Sequence, residues 1–465
     1  MSVDVMVDKL TISSAQGVIL HELSFSLTAA ESLTILGHTG AGKSLLVQAL
    51  MGNLPASLSH RGQLRVAGID PLASPRRARQ LLWGKQVSML PQEPWHALNP
   101  VMKVREQLYE VWRWVRGLPR AEADSLTAQN MHDLDLTDAA AKIPSQLSGG
   151  MAQRAAFAMA NAAGGQLMLA DEPTKGLDAS RRHTVIELLQ RQQRRGSLLT
   201  ITHDIDVARA LGGRVMVLNQ GRMVEQGTAD KLLRSPQHPY TQRLLQAQPQ
   251  HWPAHGSTRE LSSEVLVNAE NLTVYRGKSR IFDELSLSIQ AGEVVGLAGD
   301  SGSGKSTLGD VLLGLLPYQQ GRLTLAPTLA VGAKLKLYQD PPASFAAGVP
   351  LGKLLQELIH RHRLDAAQLS PLMHRLQLLP HLLQRPAEQV SGGELQRLAL
   401  LRVMLIRPRF IVADEPTSRL DPITAQMITE QLVSYCRQQQ CALLLISHDR
   451  QLLDKSCDRV VQLTG

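Results

Sequence analysis

Two glycine-rich loops with the same spacing constrain the fold of this chain more than any other feature. Residues 37–44 read GHTGAGKS and residues 299–306 read GDSGSGKS. In a GxxxxGK[ST] loop, backbone N–H groups surround phosphates, the lysine reaches the outer phosphates and the serine can ligate Mg²⁺. Each loop lies between an apolar, β-prone run and an apolar helical run, as the motif requires. The sequence therefore predicts two nucleotide-binding α/β units.

An internal repeat extends beyond these loops. Residues 23–27 (LSFSL) match residues 285–289 (LSLSI) at the same offset of 262 positions. A chain of 465 residues exceeds what one hydrophobic core usually serves. We predict a first domain with a C-terminal extension over residues 1–245, a linker over 246–263 and a second domain over 264–465. The linker is rich in Gln, Pro, His and Ser and lacks apolar periodicity.

The two copies differ in length upstream of a shared glutamine. Lys43 precedes Gln92 by 49 positions, whereas Lys305 precedes Gln339 by only 34. We interpret this difference as the loss of a strand and a loop from the second copy.

Apolar, β-prone runs in each copy end at glycine or aspartate, as in residues 33–36 before Gly37 and 167–170 before Asp171. This pattern is typical of buried parallel strands that lead into loops. Strands that alternate with helices predict a doubly wound α/β core, in which ligands bind beyond the carboxyl ends of the strands.

Paired carboxylates end one apolar run in each copy, as Asp171-Glu172 and Asp414-Glu415. The aspartate can hold Mg²⁺, and the glutamate can accept a proton from an attacking water. For either copy taken alone, an acidic pair on the surface is the alternative. Its repetition at this distance from a phosphate loop favours a nucleotide site.

A histidine follows a further apolar run in each copy, as His203 in LLTITHD and His448 in LLLISHD. A lone histidine is most often structural. In the same layer of loops as the carboxylates, however, it can bind the terminal phosphate and position the attacking water.

Composition and the N-terminal sequence exclude several classes of protein. No stretch approaches the roughly 18 apolar residues of a membrane-spanning helix, and the N-terminus lacks a signal pattern, so we expect a cytoplasmic location. The 49 basic and 41 acidic residues are scattered, which favours an ordinary solvated surface and no nucleic acid partner. Three cysteines without CxxC spacing indicate neither a disulfide framework nor a cysteine metal cluster.

Two further segments carry a specific resemblance. Residues 147–154 (LSGGMAQR) and 390–397 (VSGGELQR) are similar to the signature sequence of ATP-binding-cassette (ABC) ATPases. The resemblance covers nearly the whole chain. It implies an α/β fold of two tandem P-loop ABC nucleotide-binding domains, each with a RecA-like α/β core, an antiparallel β subdomain and a helical signature subdomain.

The resemblance also implies ATP and Mg²⁺ as cofactors and assigns roles to residues. The implied catalytic residues are Glu172, Glu415, His203, His448, Gln92 and Gln339. The implied metal ligands are Ser44, Gln92, Asp171, Ser306, Gln339 and Asp414. The implied nucleotide contacts are Gly37, His38, Thr39, Gly40, Ala41, Gly42, Lys43, Ser44, Leu45, Gly299, Asp300, Ser301, Gly302, Ser303, Gly304, Lys305, Ser306, Thr307, Tyr275, Ser148, Gly149, Gly150, Ser391, Gly392 and Gly393. Asp178 and Asp421 occupy the implied D-loops.

Two implications concern the sites as a pair. In the ABC family two cassettes pack head to tail, which implies an intramolecular cassette dimer that joins Lys43 to residues 391–393 and Lys305 to 148–150. Family members stack an aromatic on adenine, a position that Tyr275 fills in the second copy and Ser13 in the first. Adenine is then held more weakly in the first copy, or another residue supplies the contact.

Segments outside the shared core resemble the peptide/nickel importer ATPases. Residues 233–245 (LRSPQHPYTQRLL) are similar to the tail of that subfamily, and residues 92–100 (QEPWHALNP) to its Q-loop. The resemblance implies two integral membrane permease subunits and, through them, a substrate-binding protein, with peripheral association at the cytoplasmic face of the cell (inner) membrane. The cargo could be short peptides, nickel or a metal bound to an opine-like chelator. Residues 246–263 lack cysteine, so we predict no iron–sulfur cluster.

Competing interpretations remain open. A twin-cassette sugar importer ATPase shares this architecture, and a soluble twin-cassette translation factor shares the basic charge, although its family carries a long charged arm between the cassettes. A phosphate-loop kinase or helicase would lack the signature segments. Trp112 and Trp114 either contact the membrane partner or pack in the core.

Overall fold

The computed structural model describes residues 5–38, 40–92, 97–177, 179–253, 262–277, 279–300, 302–330 and 332–463. The chain divides into two compact units, Met1–Leu245 and Gln246–Gly465. Among the described residues, no helix combines the length and apolar character needed to cross a bilayer.

Strands and helices alternate through most of the first unit. Its strands are β1 (Val5–Ser14), β2 (Gly17–Leu27), β3 (Ser32–Gly37), β4 (Ser59–Val66), β5 (Val87–Leu90), β6 (Leu167–Asp171), β7 (Ser197–Thr202), β8 (Arg214–Asn219) and β9 (Arg222–Thr228). Its helices are α1 (Lys43–Leu50), α2 (Arg76–Leu82), α3 (Val104–Glu110), α4 (Arg120–Asp133), α5 (Gly149–Ala162), α6 (Ala179–Gln193), α7 (Ile205–Leu211), α8 (Ala229–Arg234) and α9 (Pro239–Gln246).

Two sheets form the first unit. The larger has the order β5-β6-β7-β3-β8-β9, parallel except for the antiparallel edge strand β9, and the smaller has the antiparallel order β2-β1-β4. Every residue of β3, β6 and β7 is buried, because helices cover both faces of a parallel sheet and favour continuous apolar runs. The phosphate loop, the acidic pair and the histidine all follow these central strands, so they lie at one edge of the sheet.

The second unit repeats this plan with fewer elements. Its strands are β10 (Val265–Arg276), β11 (Ser279–Gln290), β12 (Val294–Ala298), β13 (Gln320–Leu325), β14 (Lys334–Leu337), β15 (Phe410–Asp414), β16 (Ala442–Ile446) and β17 (Arg459–Gln462). Its helices are α10 (Lys305–Leu313), α11 (Leu351–His362), α12 (Leu369–Arg375), α13 (Gly392–Ile406), α14 (Pro422–Gln438) and α15 (Arg450–Ser456). The parallel sheet has the order β14-β15-β16-β12-β17, and the antiparallel sheet the order β11-β10-β13.

The length difference between the copies has another origin than the one we predicted. The first unit has α2 between β4 and β5, whereas no helix joins the corresponding β13 and β14 among the described residues. Both strands persist in the second unit, so the prediction of a lost strand is wrong. The parallel sheet needs β14 beside β15, whereas a peripheral helix can be shortened to a loop without opening the core.

A helical layer follows the edge strand of each parallel sheet. In the first unit α3, a π-helical turn (Val111–Val115), α4 and α5 share a core that includes Leu108 and Met131. Trp112 packs partly against this core, whereas the side chain of Trp114 is 69% exposed. Trp112 therefore fits the interpretation of core packing, whereas Trp114 does not, and contact with a membrane partner stays a prediction.

The start of the predicted linker belongs to the second unit. Trp252 is buried in the core that contains Val294 and Leu453, and its indole N–H donates to the carbonyl of Ala247 over 2.8 Å. A buried tryptophan with a satisfied N–H anchors its segment firmly. Ala247, Gln248 and Trp252 of this segment are therefore buried, and residues 254–261 lie outside the described residues.

Candidate nucleotide sites

The first phosphate loop joins β3 to α1. Gly40 and Gly42 have φ angles of 89° and 87°, a left-handed conformation that glycine adopts at little cost and that directs backbone N–H groups inward. The Lys43 ammonium is buried and donates to the carbonyls of Gly37 and His38 over 2.6 and 3.0 Å. This geometry places a fixed positive charge in the concave side of the loop.

The acidic pair lies next to this loop. The Ser44 hydroxyl donates to Asp171 Oδ1 over 3.3 Å, and the Lys43 ammonium lies 3.5 Å from Glu172 Oε1. Burial raises the pKa of Asp171 to about 6, although the Ser44 hydrogen bond opposes this shift. Burial also favours a higher pKa for Glu172, but the charge and hydrogen bond of His203, together with the charges of Lys43 and Lys175, outweigh it and lower that pKa to about 2.

The predicted histidine contacts the glutamate. Nδ1 of His203 lies 2.8 Å from Oε2 of Glu172, and the backbone N–H of His203 donates to the same oxygen over 3.3 Å. Gln92 is half-buried and lies two residues after the end of β5. The structure thus brings the loop, the acidic pair and the histidine of the first unit together.

The second unit builds a corresponding site with different partners. Lys305 donates to the carbonyls of Gly299 and Asp300 over 2.8 and 2.7 Å. Glu415 Oε2 accepts a hydrogen bond from the Gln339 amide over 2.8 Å, and Nδ1 of His448 lies 3.4 Å away. Here the glutamine, rather than the histidine, makes the shorter contact with the glutamate.

Both glutamates have an unusual backbone conformation. The φ angles of Glu172 and Glu415 are 47° and 45°, in the left-handed region. For a residue with a side chain this conformation costs about 1–2 kcal/mol, and residues held in it cluster at functional sites. The N–H of Glu172 donates to Ile201, and that of Glu415 to Ile446, which ties each turn to the neighbouring strand. The same strain in both units supports a shared role.

The donor set at each site fits Mg²⁺ bound together with a nucleotide. Magnesium prefers oxygen ligands and usually takes one or two protein groups in addition to phosphates. Ser306 donates to Asp414 Oδ1 over 2.9 Å, which matches the Ser44–Asp171 pair of the first unit. No cluster of three or more His, Cys, Asp or Glu side chains that could hold a metal by itself occurs in the described parts of the chain.

The signature segments lie at the N-termini of two largely buried helices, and their serines are exposed. Ser148 precedes α5, and its hydroxyl accepts from the N–H of Met151 over 3.3 Å. Ser391 precedes α13 and forms a capping box with Glu394. A Cβ on Gly149 or Gly392 would meet nothing within 4 Å, so a ligand can approach the helix N-terminus closely.

The predicted adenine positions lie at corresponding places in the two units. Tyr275 and Ser13 both lie near the ends of long antiparallel strands, and Tyr275 is 41% exposed. Asp421 caps α14 by accepting from the N–H of Thr424 over 3.1 Å. The predicted residues Thr39, Ser301 and Asp178 lie outside the described residues.

Sequence reasoning did not anticipate a contact between the tail of the first unit and its phosphate loop. The backbone N–H of His38 donates to the Tyr240 hydroxyl over 3.1 Å. Tyr240 is held in place by its own N–H, which donates to His238 Nδ1, and by Glu225, which accepts from the N–H of Gln237 and His238. The HPYT sequence was the available signal, but only the fold shows that its tyrosine reaches the loop.

Sequence comparison identifies the family. The model described as "ABC transporter" matches residues 20–175 and 282–418. The chain belongs to this family. The model described as "Oligopeptide/dipeptide transporter, C-terminal region" matches residues 224–274, which include Tyr240 and the residues that hold it.

Similar proteins cover almost the whole chain. The uncharacterized ABC transporter ATP-binding protein YejF of Escherichia coli K12 is 33% identical over 96% of this chain and 90% of its own length. The peptidoglycan transport ATP-binding protein YejF of Agrobacterium fabrum is 31% identical, over 94% and 85%. The glutathione import ATP-binding protein GsiA of Salmonella typhi is 31% identical, over 95% and 81%.

Among solved structures, an RNase-L inhibitor superimposes with a TM-score of 0.67 at 21% identity, over 98% of this chain and 88% of its own. At this identity the likeness shows the fold alone. It agrees with the expected tandem arrangement of two ABC ATPase domains, and the family assignment makes the chain an ATP-binding ATPase subunit of an ABC transporter.

Proposed function

We propose that this ABC ATPase drives the import of short peptides or compounds with a peptide part. The observation that carries the proposal is the match of residues 224–274 to the oligopeptide/dipeptide transporter C-terminal region. Two relatives point to the same chemistry, because glutathione is a small peptide and peptidoglycan contains peptide stems. Nickel and chelated metals remain compatible cargoes with less support.

In the proposed mechanism, each glutamate is the general base for the attacking water. The low pKa of Glu172 keeps its carboxylate ionised and able to accept a proton. If His203 turns from the glutamate towards the terminal phosphate, one of the causes that lower the pKa of Glu172 is removed and its basicity rises. Glu415 has the corresponding role, with Gln339 and His448 as its neighbours.

The phosphate loops and serines bind the rest of the nucleotide in this proposal. Lys43 and Lys305 hold the outer phosphates, and the loop N–H groups surround them. Mg²⁺ would be held by Ser44 with Asp171 and by Ser306 with Asp414, and when bound it neutralises phosphate charge. Gln92 and Gln339 are further proposed ligands of the cation. The head-to-tail pairing of the cassettes stays a prediction.

The proposed partners are two integral membrane permease subunits and, through them, a substrate-binding protein. We place the chain peripherally at the cytoplasmic face of the cell membrane. The exposed Trp114, on the helical layer of the first unit, is available for such a partner. This placement rests on the family and on the exposed indole ring.

The test begins with the tagged full chain, purified from mildly solubilised native membranes and analysed by mass spectrometry. Recovery of two multi-span permeases is the expected result. The complex is then reconstituted in vesicles with its binding protein and ATP, and uptake of labelled tripeptide is compared with uptake of Ni²⁺ and of a disaccharide. A matched complex with Glu172→Gln and Glu415→Gln should take up none.

The outcomes separate the alternatives. ATP-dependent tripeptide uptake supports the proposal, whereas uptake of Ni²⁺ alone or the disaccharide alone contradicts the peptide assignment. Recovery of ribosomes without permeases would contradict the importer and favour a translation factor.

A further inference from the structure

The second site contains a buried lysine where the first has a methionine. Lys336 of β14 pairs with Val412, two residues before Asp414, as Met89 of β5 pairs with Leu169, two residues before Asp171. The Lys336 side chain is only 9% exposed. A charged side chain in this setting needs partners to offset its desolvation.

Its partners are two aspartates. The Lys336 ammonium donates to Asp310 Oδ1 over 2.7 Å and lies 3.3 Å from Asp414 Oδ2. Asp310 lies on α10, five positions after Lys305, as Gln48 lies on α1, five positions after Lys43. The first unit therefore has an uncharged Gln48–Met89 pair where the second has an ion pair.

This ion pair acts on the candidate metal ligand. Ser306 donates to Oδ1 of Asp414 while Lys336 contacts Oδ2, so both oxygens of the carboxylate are held. A carboxylate held at both oxygens keeps one orientation. The free lone pair of Asp414 Oδ1, beside Ser306, is then the one that a cation can reach. A cation that binds there must also approach the positive charge of Lys336.

We propose that Lys336 is a positioning residue that directs Oδ1 of Asp414 to Mg²⁺ and weakens the contribution of Mg²⁺ to nucleotide binding at the second site. The proposal rests on the proposed Mg²⁺ role of Asp414. The opposite charge of Asp310, which contacts Lys336 at 2.7 Å, offsets part of this repulsion. At the effective dielectric constant of a protein, the remaining repulsion between Lys336 and Mg²⁺ corresponds to about a fivefold difference between the sites in how strongly Mg²⁺ tightens nucleotide binding.

The experiment measures how much Mg²⁺ tightens the binding of the fluorescent analogue TNP-ATP to the full chain. We define the magnesium gain as the ratio of the dissociation constant in EDTA to that in Mg²⁺. Lys43→Ala leaves the second site to be measured, and Lys305→Ala leaves the first. We expect the gain to be about fivefold smaller at the second site than at the first.

Exchange of the pairs between the units provides matched variants. In the Lys43→Ala background, Asp310→Gln with Lys336→Met should raise the gain at the second site about fivefold, with little change in EDTA. In the Lys305→Ala background, Gln48→Asp with Met89→Lys should lower the gain at the first site. Circular dichroism and thermal unfolding check that each variant is folded.

Equal magnesium gains in the Lys43→Ala and Lys305→Ala backgrounds would overturn the proposal. In this comparison the Lys336–Asp310 ion pair is intact in both variants. Gains unaffected by both exchanges would also overturn it and leave Lys336 a purely structural partner of Asp310. Failure of the parent chain to bind TNP-ATP even in EDTA would instead contradict the nucleotide sites themselves.

Discussion

The two nucleotide sites share their motifs but hold their acidic groups in different ways. In the first, Glu172 contacts His203 at 2.8 Å and Asp171 has uncharged neighbours at positions 48 and 89. In the second, Glu415 contacts Gln339 at 2.8 Å and Asp414 contacts Lys336 at 3.3 Å. Identical motifs therefore do not determine the electrostatics of a site, because neighbouring residues set them.

Removal of the proposed bases should have the largest effect. Glu172→Gln with Glu415→Gln should lower ATP turnover at least about 100-fold, because the amide accepts no proton from water. Steady-state phosphate release from the full chain measures this turnover. The two single variants then show how much each site contributes to ATP hydrolysis. Glu187→Gln, at a half-exposed glutamate, is the control. Normal turnover in the double variant would refute both assignments.

The two aspartates should respond oppositely to loss of charge in the nucleotide-free chain with EDTA. The pKa of Asp171 is about 6 when folded and 3.8 in its ordinary state, so burial of its charge destabilises the fold above pH 6. Asp171→Asn should therefore raise the free energy of unfolding at pH 8 by about 3 kcal/mol, and the gain should vanish near pH 4. Urea unfolding measures both values.

Asp414→Asn is the matched variant in the second unit. It removes a partner of Lys336, so stability at pH 8 should fall rather than rise. A rise of similar size in both variants would contradict the difference between the sites.

Tyr240 offers a smaller test confined to the first site. Tyr240→Phe removes the hydroxyl that accepts from the N–H of His38, and one such hydrogen bond contributes about 1 kcal/mol. We expect ATP affinity at the first site to fall about fivefold in the Lys305→Ala background. The second site, measured in the Lys43→Ala background, serves as the control. An equal loss at both sites would indicate a general effect on folding.

The aromatic position should give the smallest change. Ser13→Tyr supplies the ring that the second unit has in Tyr275, and stacking on adenine contributes about 0.5–1.5 kcal/mol. ATP should bind the first site about threefold more tightly, while GTP binding should change less. No change in ATP affinity would favour another residue as the adenine contact.

The sequence predicted those parts of the fold and of the sites that short motifs and apolar runs identify. The loops, the acidic pairs and the histidines follow apolar strands, and parallel strands bring their carboxyl ends together. It could not show the Lys336–Asp310 pair, because α10 and β14 become neighbours only in the folded unit. Nor could it show that Tyr240 reaches His38, 202 positions away. Trp252 was missed because one buried residue gives a segment no apolar period.

Equilibrium binding of ATP to the Glu172→Gln/Glu415→Gln chain tests whether each of the two phosphate loops binds a nucleotide. The account predicts one bound ATP for each unit, with the first lost in Lys43→Ala and the second in Lys305→Ala. An unchanged stoichiometry in either lysine variant would contradict it.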